Sequence, residues 1–192
     1  MDVFLLAGVL LGGFLWGRAY EASAQAKKRR RQQYLALPHE EKLVAKIEEN
    51  IDLREIQRLL DLSPLDVARA SDGITPVIAT MRYVGGNYQN HSRRYRILLE
   101  IARRLPNEQV VPALNARDKK GWTALMHAAA QSDALGGALL IHLGADPTLK
   151  NHNGQTAADI SAKWPSVVPI FEGRDVPPSF PKLLTSAEGK WP

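Results

Sequence analysis

The sequence contains no cysteine, and this absence excludes several kinds of chemistry. Disulfide bonds, thiol nucleophiles and cysteine-ligated zinc or iron–sulfur centres are all ruled out. The absence is compatible with a reducing compartment but does not require one. Stability must come from packing, and a hydrophobic share of 45% in 192 residues is enough for one modest core plus extensions.

A recognisable catalytic constellation is also absent. The five histidines show no metal-ligand spacing and no carboxylate pattern that would complete a triad; they are His39, His91, His127, His142 and His152. The glycine pairs at 12–13, 85–86 and 136–137 lack the lysine and threonine of a phosphate-binding loop. We interpret the pair at 136–137 as a site of close helix packing. The sequence therefore predicts a non-catalytic protein without cofactor or metal.

Excess positive charge is confined to one run. The formal net charge is +5, and Lys27-Lys28-Arg29-Arg30-Arg31 supplies five positive charges, so the rest of the chain is near neutral. Overall basicity is therefore not evidence for nucleic-acid binding. The run alone could be a solvated linker or a nucleic-acid patch. Its position directly behind an apolar segment favours contact with anionic lipid headgroups.

That apolar segment extends from Val3 to Gly17 without a charged residue. As a helix it would be roughly 22 Å long at about 1.5 Å per residue, which is short of the ~30 Å hydrocarbon layer of a bilayer. Trp16 and Tyr20 suit a membrane interface, and Arg18 can extend its charged end to the headgroups. We therefore expect a transmembrane anchor at residues 1–21.

A cleaved signal peptide is the alternative, because Ala22-Ser23-Ala24 resembles a cleavage site. Cleaved signals carry basic residues before the apolar run, whereas here the basic residues follow it. The same asymmetry predicts that Met1 lies outside and that the domain after the anchor lies on the cytoplasmic, or mitochondrial matrix, side. Residues 22–38 would continue as a basic juxtamembrane helix or linker.

Glycines in the apolar segment indicate a possible helix–helix contact. Gly8 with Gly12, and Gly13 with Gly17, form two G-x-x-x-G spacings. Such spacing lets transmembrane helices approach closely, although glycine is also common in such helices without that role. The alternative is therefore an anchor without specific packing.

The strongest pattern in the chain returns after one period. Gly121-Trp122-Thr123-Ala124-Leu125 recurs as Gly154-Gln155-Thr156-Ala157-Ala158, and 154 − 121 = 33; an earlier copy begins Gly73-Ile74-Thr75-Pro76. Glycine permits the positive φ of a tight turn, threonine can cap a helix, and proline suits the first helical position. These residues resemble the ankyrin repeat, whose period is about 33 residues.

The resemblance implies an all-α ankyrin-repeat solenoid of about three to four units at residues 39–164, each a β-turn followed by two helices. In the clearest unit Leu125, Ala128 and Ala129 share one helical face, and Asp133 can cap the second helix. Gly144 suits a left-handed C-cap. The expected buried stripe of the second helix is Leu135, Leu139, Leu140 and Leu143.

Two features depart from the family pattern. The histidine usual after the capping threonine is replaced by Ile78, Met126 and Asp159. The spacing is also irregular, because 121 − 73 = 48, which is 15 more than one period. We expect these extra residues in loops around 85–90 and 106–109, since insertions in repeat proteins fall in loops, often on the binding face.

The remaining helices follow from apolar periodicity. The first unit is expected to be degenerate, as terminal repeats usually are, with helices at 40–50 and 51–60 and a turn at 66–73 leading to the second unit. The second unit would contain helices at 76–84 and 95–105. Its arginines are expected on solvated faces, with an acidic partner surface as the alternative; they are Arg93, Arg94, Arg96, Arg103 and Arg104.

The tail at residues 165–192 has its own composition. Six of the 12 prolines lie there: Pro165, Pro169, Pro177, Pro178, Pro181 and Pro192. Interspersed apolar residues make it unlike a free linker. We expect its early part to cap the repeat stack and its later part to extend across a partner, as proline-rich ligands do.

Repeat stacks bind proteins through turn tips and one helix layer, so the resemblance implies partner contacts at the turns. The candidates are Arg117, Lys119, Lys120, Trp122, Asn151, His152 and Asn153. Trp122 is the strongest of them, because aromatic residues often anchor interfaces, although it could instead pack on the next turn.

Four functions fit these features. The first is an accessory or assembly subunit of a membrane complex. The second is a membrane-tethered adaptor or inhibitor that recruits a soluble partner. The third is an exported soluble protein after signal cleavage. The fourth, nucleic-acid binding by the basic run, is the weakest and would require affinity that falls steeply with salt.

Overall fold

The structure is a computed structural model that describes residues 24–29, 31–33, 35–37, 39–48, 53–61, 73–82 and 91–174. The chain divides into two units, Met1–Pro38 and His39–Pro192. In the first unit, residues 24–29, 31–33 and 35–36 are helical and their side chains are exposed, Lys27, Lys28, Arg29 and Arg31 among them. The anchor predicted at 1–21, with Gly8, Gly12, Gly13 and Gly17, lies outside the described residues, as does Arg30. Among the described residues, no helix combines the length and apolarity needed to cross a bilayer.

The described part of the second unit is helical. Its helices are α1 (His39–Glu48), α2 (Leu53–Asp61), α3 (Pro76–Met81), α4 (His91–Arg104), α5 (Asn107–Leu114), α6 (Ala124–Ala130), α7 (Ala134–His142), α8 (Ala157–Ser161) and α9 (Val168–Phe171). They pair as α1 with α2, α3 with α4, α6 with α7, and α8 with α9. Along the stack, α1, α3, α6 and α8 each pack on the next in one layer, while α2, α4, α7 and α9 form the second layer. This is a two-layer solenoid of helical hairpins.

Local chemistry starts the first-layer helices as the sequence predicts. The side chains of Thr75, Thr123 and Thr156 each accept a hydrogen bond from the backbone N–H three residues on, at 3.1, 3.4 and 3.2 Å. Gly73, Gly121 and Gly154 have φ of 83°, 74° and 75°. Asp159, which replaces the usual histidine, completes a capping box with Thr156. The turn-and-cap prediction is confirmed in these three units.

The core runs through the whole stack, because the apolar faces of both layers meet between them. Its fully buried large side chains include Leu43, Ile56, Ile78, Ile101, Leu125, Leu140 and Phe171. At the C-terminal end Phe171 is 0% exposed and lies against Gly137, where an added Cβ would overlap the Phe171 ring. An added Cβ at Gly136 would lie 3.1 Å from Met81 Sδ. The glycine pair is thus a close-packing site, and α9 covers α7 and α8.

Two details of the sequence analysis are wrong. Residues 107–109 are not a loop but the first turn of α5, whose Val110, Ala113 and Leu114 lie at helical spacing and face inward. Leu135 is not part of a buried stripe, because it is 42% exposed in the first turn of α7. In its place Gly136 and Gly137 are buried, since α3 and α9 approach there. The loop predicted at 85–90 and the turn at 66–72 lie outside the described residues.

Candidate protein-binding surface

The turn before α6 is organised by the carboxylate of Asp118. Its Oδ1 accepts hydrogen bonds from the backbone N–H groups of Lys120 at 2.8 Å and Trp122 at 2.9 Å. The backbone N–H of Asp118 donates to the Trp122 carbonyl at 2.9 Å, and that of Gly121 donates to the Asp118 carbonyl at 2.8 Å. Four hydrogen bonds thus close one short turn and fix the directions of the Lys120 and Trp122 side chains.

The same turn is built again with an amide in place of the carboxylate. Asn151 stands 33 residues after Asp118 (151 − 118 = 33), and its Oδ1 accepts from the N–H groups of Asn153 at 2.9 Å and Gln155 at 3.0 Å. The Asn151 N–H donates to the Gln155 carbonyl at 2.9 Å. Asn151 is only 5% exposed, so its side chain holds the turn and is not presented to a partner.

Successive turns lie directly against one another. A Cβ added at Gly73 would lie 2.7 Å from the backbone N of Lys119, and one added at Gly121 would lie 2.9 Å from the backbone N of His152. The His152 N–H also donates to the Lys120 carbonyl at 3.3 Å. The glycines therefore have a second function besides positive φ, because they allow backbones of adjacent units to touch and form a row of turn tips.

A pocket of about 400 Å³ lies where the second and third units meet; its walls are Ile74, Arg82, Asp118, Lys119, Lys120, Trp122 and His127. The Trp122 and His127 rings are in tilted contact, with centroids 5.2 Å apart and planes at 49°. His127 Nε2 lies 3.0 Å from Asp118 Oδ2. Arg82 pairs with Glu48 of the first unit at 3.2 Å. One wall is thus aromatic and held from behind by Asp118, and the others carry cations.

The protonation states of the pocket follow from burial and hydrogen bonding. Burial, opposed by the charge and hydrogen bond of Asp118, lowers the pKa of His127. Burial opposes ionisation of Asp118, but hydrogen bonds from Trp122 N–H, His127 and Lys120 N–H together lower the pKa of this carboxyl. At neutral pH Asp118 is therefore ionised and His127 is neutral, with Nε2 donating to Asp118.

The structure separates the predicted contact residues into groups. Arg117, Lys119, Lys120, His152 and Asn153 are exposed, Trp122 is half-buried with its ring on the pocket, and Asn151 is buried in its turn. Sequence reasoning missed Ile74, Arg82 and His127 as pocket residues. Ile74 could have been found, because it follows Gly73 as Trp122 follows Gly121. Within the described ranges no three potential metal ligands cluster together.

Comparison with known proteins supports the fold. No family model matches the sequence, and no curated protein matches it. The solved ankyrin repeat domain of Bcl-3, a member of the IκB protein family, has 20% sequence identity and a TM-score of 0.52, over 68% of this chain and 50% of that one. This chain therefore has the fold of an ankyrin-repeat domain and spans about half the length of the solved Bcl-3 chain.

A second solved structure is the Bd0816 predatory endopeptidase from Bdellovibrio bacteriovorus in complex with immunity protein Bd3460. The match has 19% identity and covers 69% of this chain and 97% of that one. Its TM-score of 0.30 is too low to carry a structural argument.

Proposed function

We propose that this protein is a non-catalytic, membrane-anchored interaction module, and that it serves as an accessory or assembly subunit of a larger membrane protein complex. The observation that carries the interaction role is the row of stacked turn tips with a mixed aromatic and cationic pocket at Trp122. Repeat solenoids present such extended surfaces to protein partners. The enclosing residues contain no nucleophile beside a base and no arrangement of paired acids.

Membrane anchoring is supported by sequence alone. The uncharged segment from Val3 to Gly17 is followed by the basic run at 27–31, as expected for an anchor whose following domain faces the cytoplasm or matrix. Described side chains of that run are exposed on helical segments and are therefore available to anionic headgroups. The two G-x-x-x-G spacings would let the anchor pack against a transmembrane helix of another subunit.

The test is purification of the full-length protein in a gentle detergent, with co-purifying subunits identified by native mass spectrometry. A stoichiometric membrane complex that is lost when residues 1–20 are deleted would support the subunit role. The matched control replaces residues 1–20 with an unrelated single-pass helix. A subunit that packs through its own glycines should lose the complex in this control, whereas simple tethering should preserve it.

A membrane-tethered adaptor or inhibitor is the second candidate, favoured by the same turn-tip surface. It predicts capture of a soluble partner that survives the helix exchange. Recovery of a lone monomer that begins at Met1 would contradict the subunit role, and a mature N-terminus near residue 24 would support export instead.

A further inference from the structure

The pocket at the junction of the second and third units has a chemical character that the next junction lacks. Every polar or aromatic wall residue of the third unit has a counterpart 33 residues later, and each counterpart is uncharged or aliphatic. The pairs are Asp118 and Asn151, Lys119 and His152, Lys120 and Asn153, Trp122 and Gln155, and His127 and Ile160. Backbone hydrogen bonds of the two turns are the same, so the difference lies in the side chains alone.

The pocket combines apolar surface with excess positive charge. Ile74 and the Trp122 ring supply the apolar part, and Arg82, Lys119 and Lys120 supply three positive charges against the single negative charge of Asp118. Asp118 is turned into the protein, where its two oxygens accept from two backbone N–H groups and face His127. Its charge is therefore partly compensated from within, and the exposed cation at Lys120 dominates the rim.

A complementary occupant needs a negative charge placed beside an apolar side chain. We propose that this pocket binds an acidic peptide segment of the protein partner, with an aliphatic or aromatic side chain against Trp122 and Ile74 and a carboxylate facing Lys119 and Lys120. The inference rests on the proposed interaction function and specifies the partner's chemistry. Buried aromatic anchors surrounded by polar rims are the usual form of binding hot spots.

A nucleic acid fits this surface less well. Binding to a phosphate backbone requires several cations in a row along the strand, whereas the adjacent turn offers Asn151, His152 and Asn153. Arg82 is already paired with Glu48, which would face an incoming polyanion with a like charge. A short segment with one or two carboxylates matches the local excess of charge better than an extended polyanion does.

The test begins with random 12-residue peptides displayed on phage and selected on the purified full-length chain. Selected peptides should contain Asp or Glu next to a large apolar residue. The most enriched peptide is then synthesised with a fluorophore, and its affinity is measured by fluorescence anisotropy at low and high salt. Trp122→Ala should weaken binding at least about tenfold. Lys120→Glu should weaken it several-fold, and raising the salt should reduce that difference.

Lys150→Glu is the matched control, because it makes the same charge change at an exposed position outside the pocket. It should change affinity less than about twofold. Lys120 is exposed, so Lys120→Glu remains informative even if Trp122→Ala fails to fold, which circular dichroism would show. Equal weakening by Lys120→Glu and Lys150→Glu would overturn the proposal. So would a selection that yields no enriched peptides, or peptides without acidic residues, or a labelled oligo(dT) probe that binds as tightly as the selected peptide.

The two proposals fail in different ways. If native mass spectrometry finds partners that remain bound to Lys120→Glu and Trp122→Ala, the pocket assignment is wrong and the interaction function stands. If no partner is found in any detergent while the acidic peptide still binds at the pocket, the subunit role is wrong and the pocket assignment stands.

Discussion

Gly121 and Gly154 offer a direct test of how the turns stack, because they differ in one respect only. Both have positive φ, 74° and 75°, and both stand at the same place in their repeats. A Cβ at Gly154 would meet nothing within 4 Å, whereas a Cβ at Gly121 would lie 2.7 Å from His152 Cδ2 and 2.9 Å from His152 N. Alanine at either position incurs the backbone strain, and only Gly121→Ala adds a clash.

The magnitudes follow from these contacts. Left-handed backbone costs alanine roughly 1–2 kcal/mol, so Gly154→Ala should lower the free energy of unfolding by about that amount. Overpacking adds roughly 1–3 kcal/mol, so Gly121→Ala should cost about 2–5 kcal/mol. At roughly 2–4 °C per kcal/mol for a chain of this size, Gly121→Ala should melt several degrees below Gly154→Ala.

The assay is urea and thermal unfolding of the full-length chain, followed by circular dichroism. His152→Ala removes the side-chain half of the clash but leaves the backbone N in place, so it should rescue Gly121→Ala only in part. Equal losses at the two glycines, or a larger loss at Gly154, would refute the idea that close contact between turns, and not φ alone, demands glycine at Gly121.

Three further predictions concern the packing and ionisation of the stack. Phe171→Ala should lower the free energy of unfolding by about 3–5 kcal/mol; Gly137→Ala should destabilise the native chain because its Cβ would overlap Phe171, yet stabilise Phe171→Ala by up to about 1 kcal/mol through helix propensity, and a stabilising Gly137→Ala in the native chain would contradict this. Tyr95→Phe should cost about 1.5–3 kcal/mol in chemical denaturation, because it removes the 2.5 Å hydrogen bond that the buried Tyr95 hydroxyl donates to Asp133, the N-cap of α7; an unchanged unfolding midpoint would refute that. Because the folded pKa of His127 lies below the ordinary 6.5 through burial, and through the charges of Arg82 and Lys120 despite Asp118, its contribution to stability is present above pH 6.5 and lost as pH falls from there through the folded pKa; His127→Gln should therefore lose less stability between pH 7 and pH 5, and parallel pH profiles would contradict this.

The features that the sequence predicts correctly are those that depend on neighbouring residues. Positive φ at Gly121, capping by Thr123 and Asp133, and proline at the start of α3 each express a preference of one residue within one turn of backbone. Each preference also recurs with the period of the fold, so one copy strengthens the interpretation of another. Agreement between local preference and global fold makes such elements readable from sequence.

The features that escaped prediction depend on which surfaces meet in space. Whether Leu135 or Gly137 faces the core is decided by Met81 and Phe171, which come from other units. The pocket likewise joins Ile74 and Arg82 to residues more than thirty positions later in the chain. An apolar pattern within α7 cannot register a neighbour that approaches from the side, because periodicity reports only that a face is buried, not what buries it.

The irregular spacing before the clear repeat changes the meaning of the insertion. Its second half forms α5, which packs on α3 and buries Ala113 and Leu114. At the end of this helix, Asn115 Oδ1 accepts from the N–H of Asp146 at 2.9 Å, which holds the segment that leaves the third unit. The inserted helix therefore contacts the second unit and the exit of the third, and these are the two units whose turns form the pocket. Insertions in repeat proteins often supply binding loops. Here this part of the insertion ties together the units that flank the pocket, so their spacing is fixed before a partner arrives, and less ordering has to accompany binding.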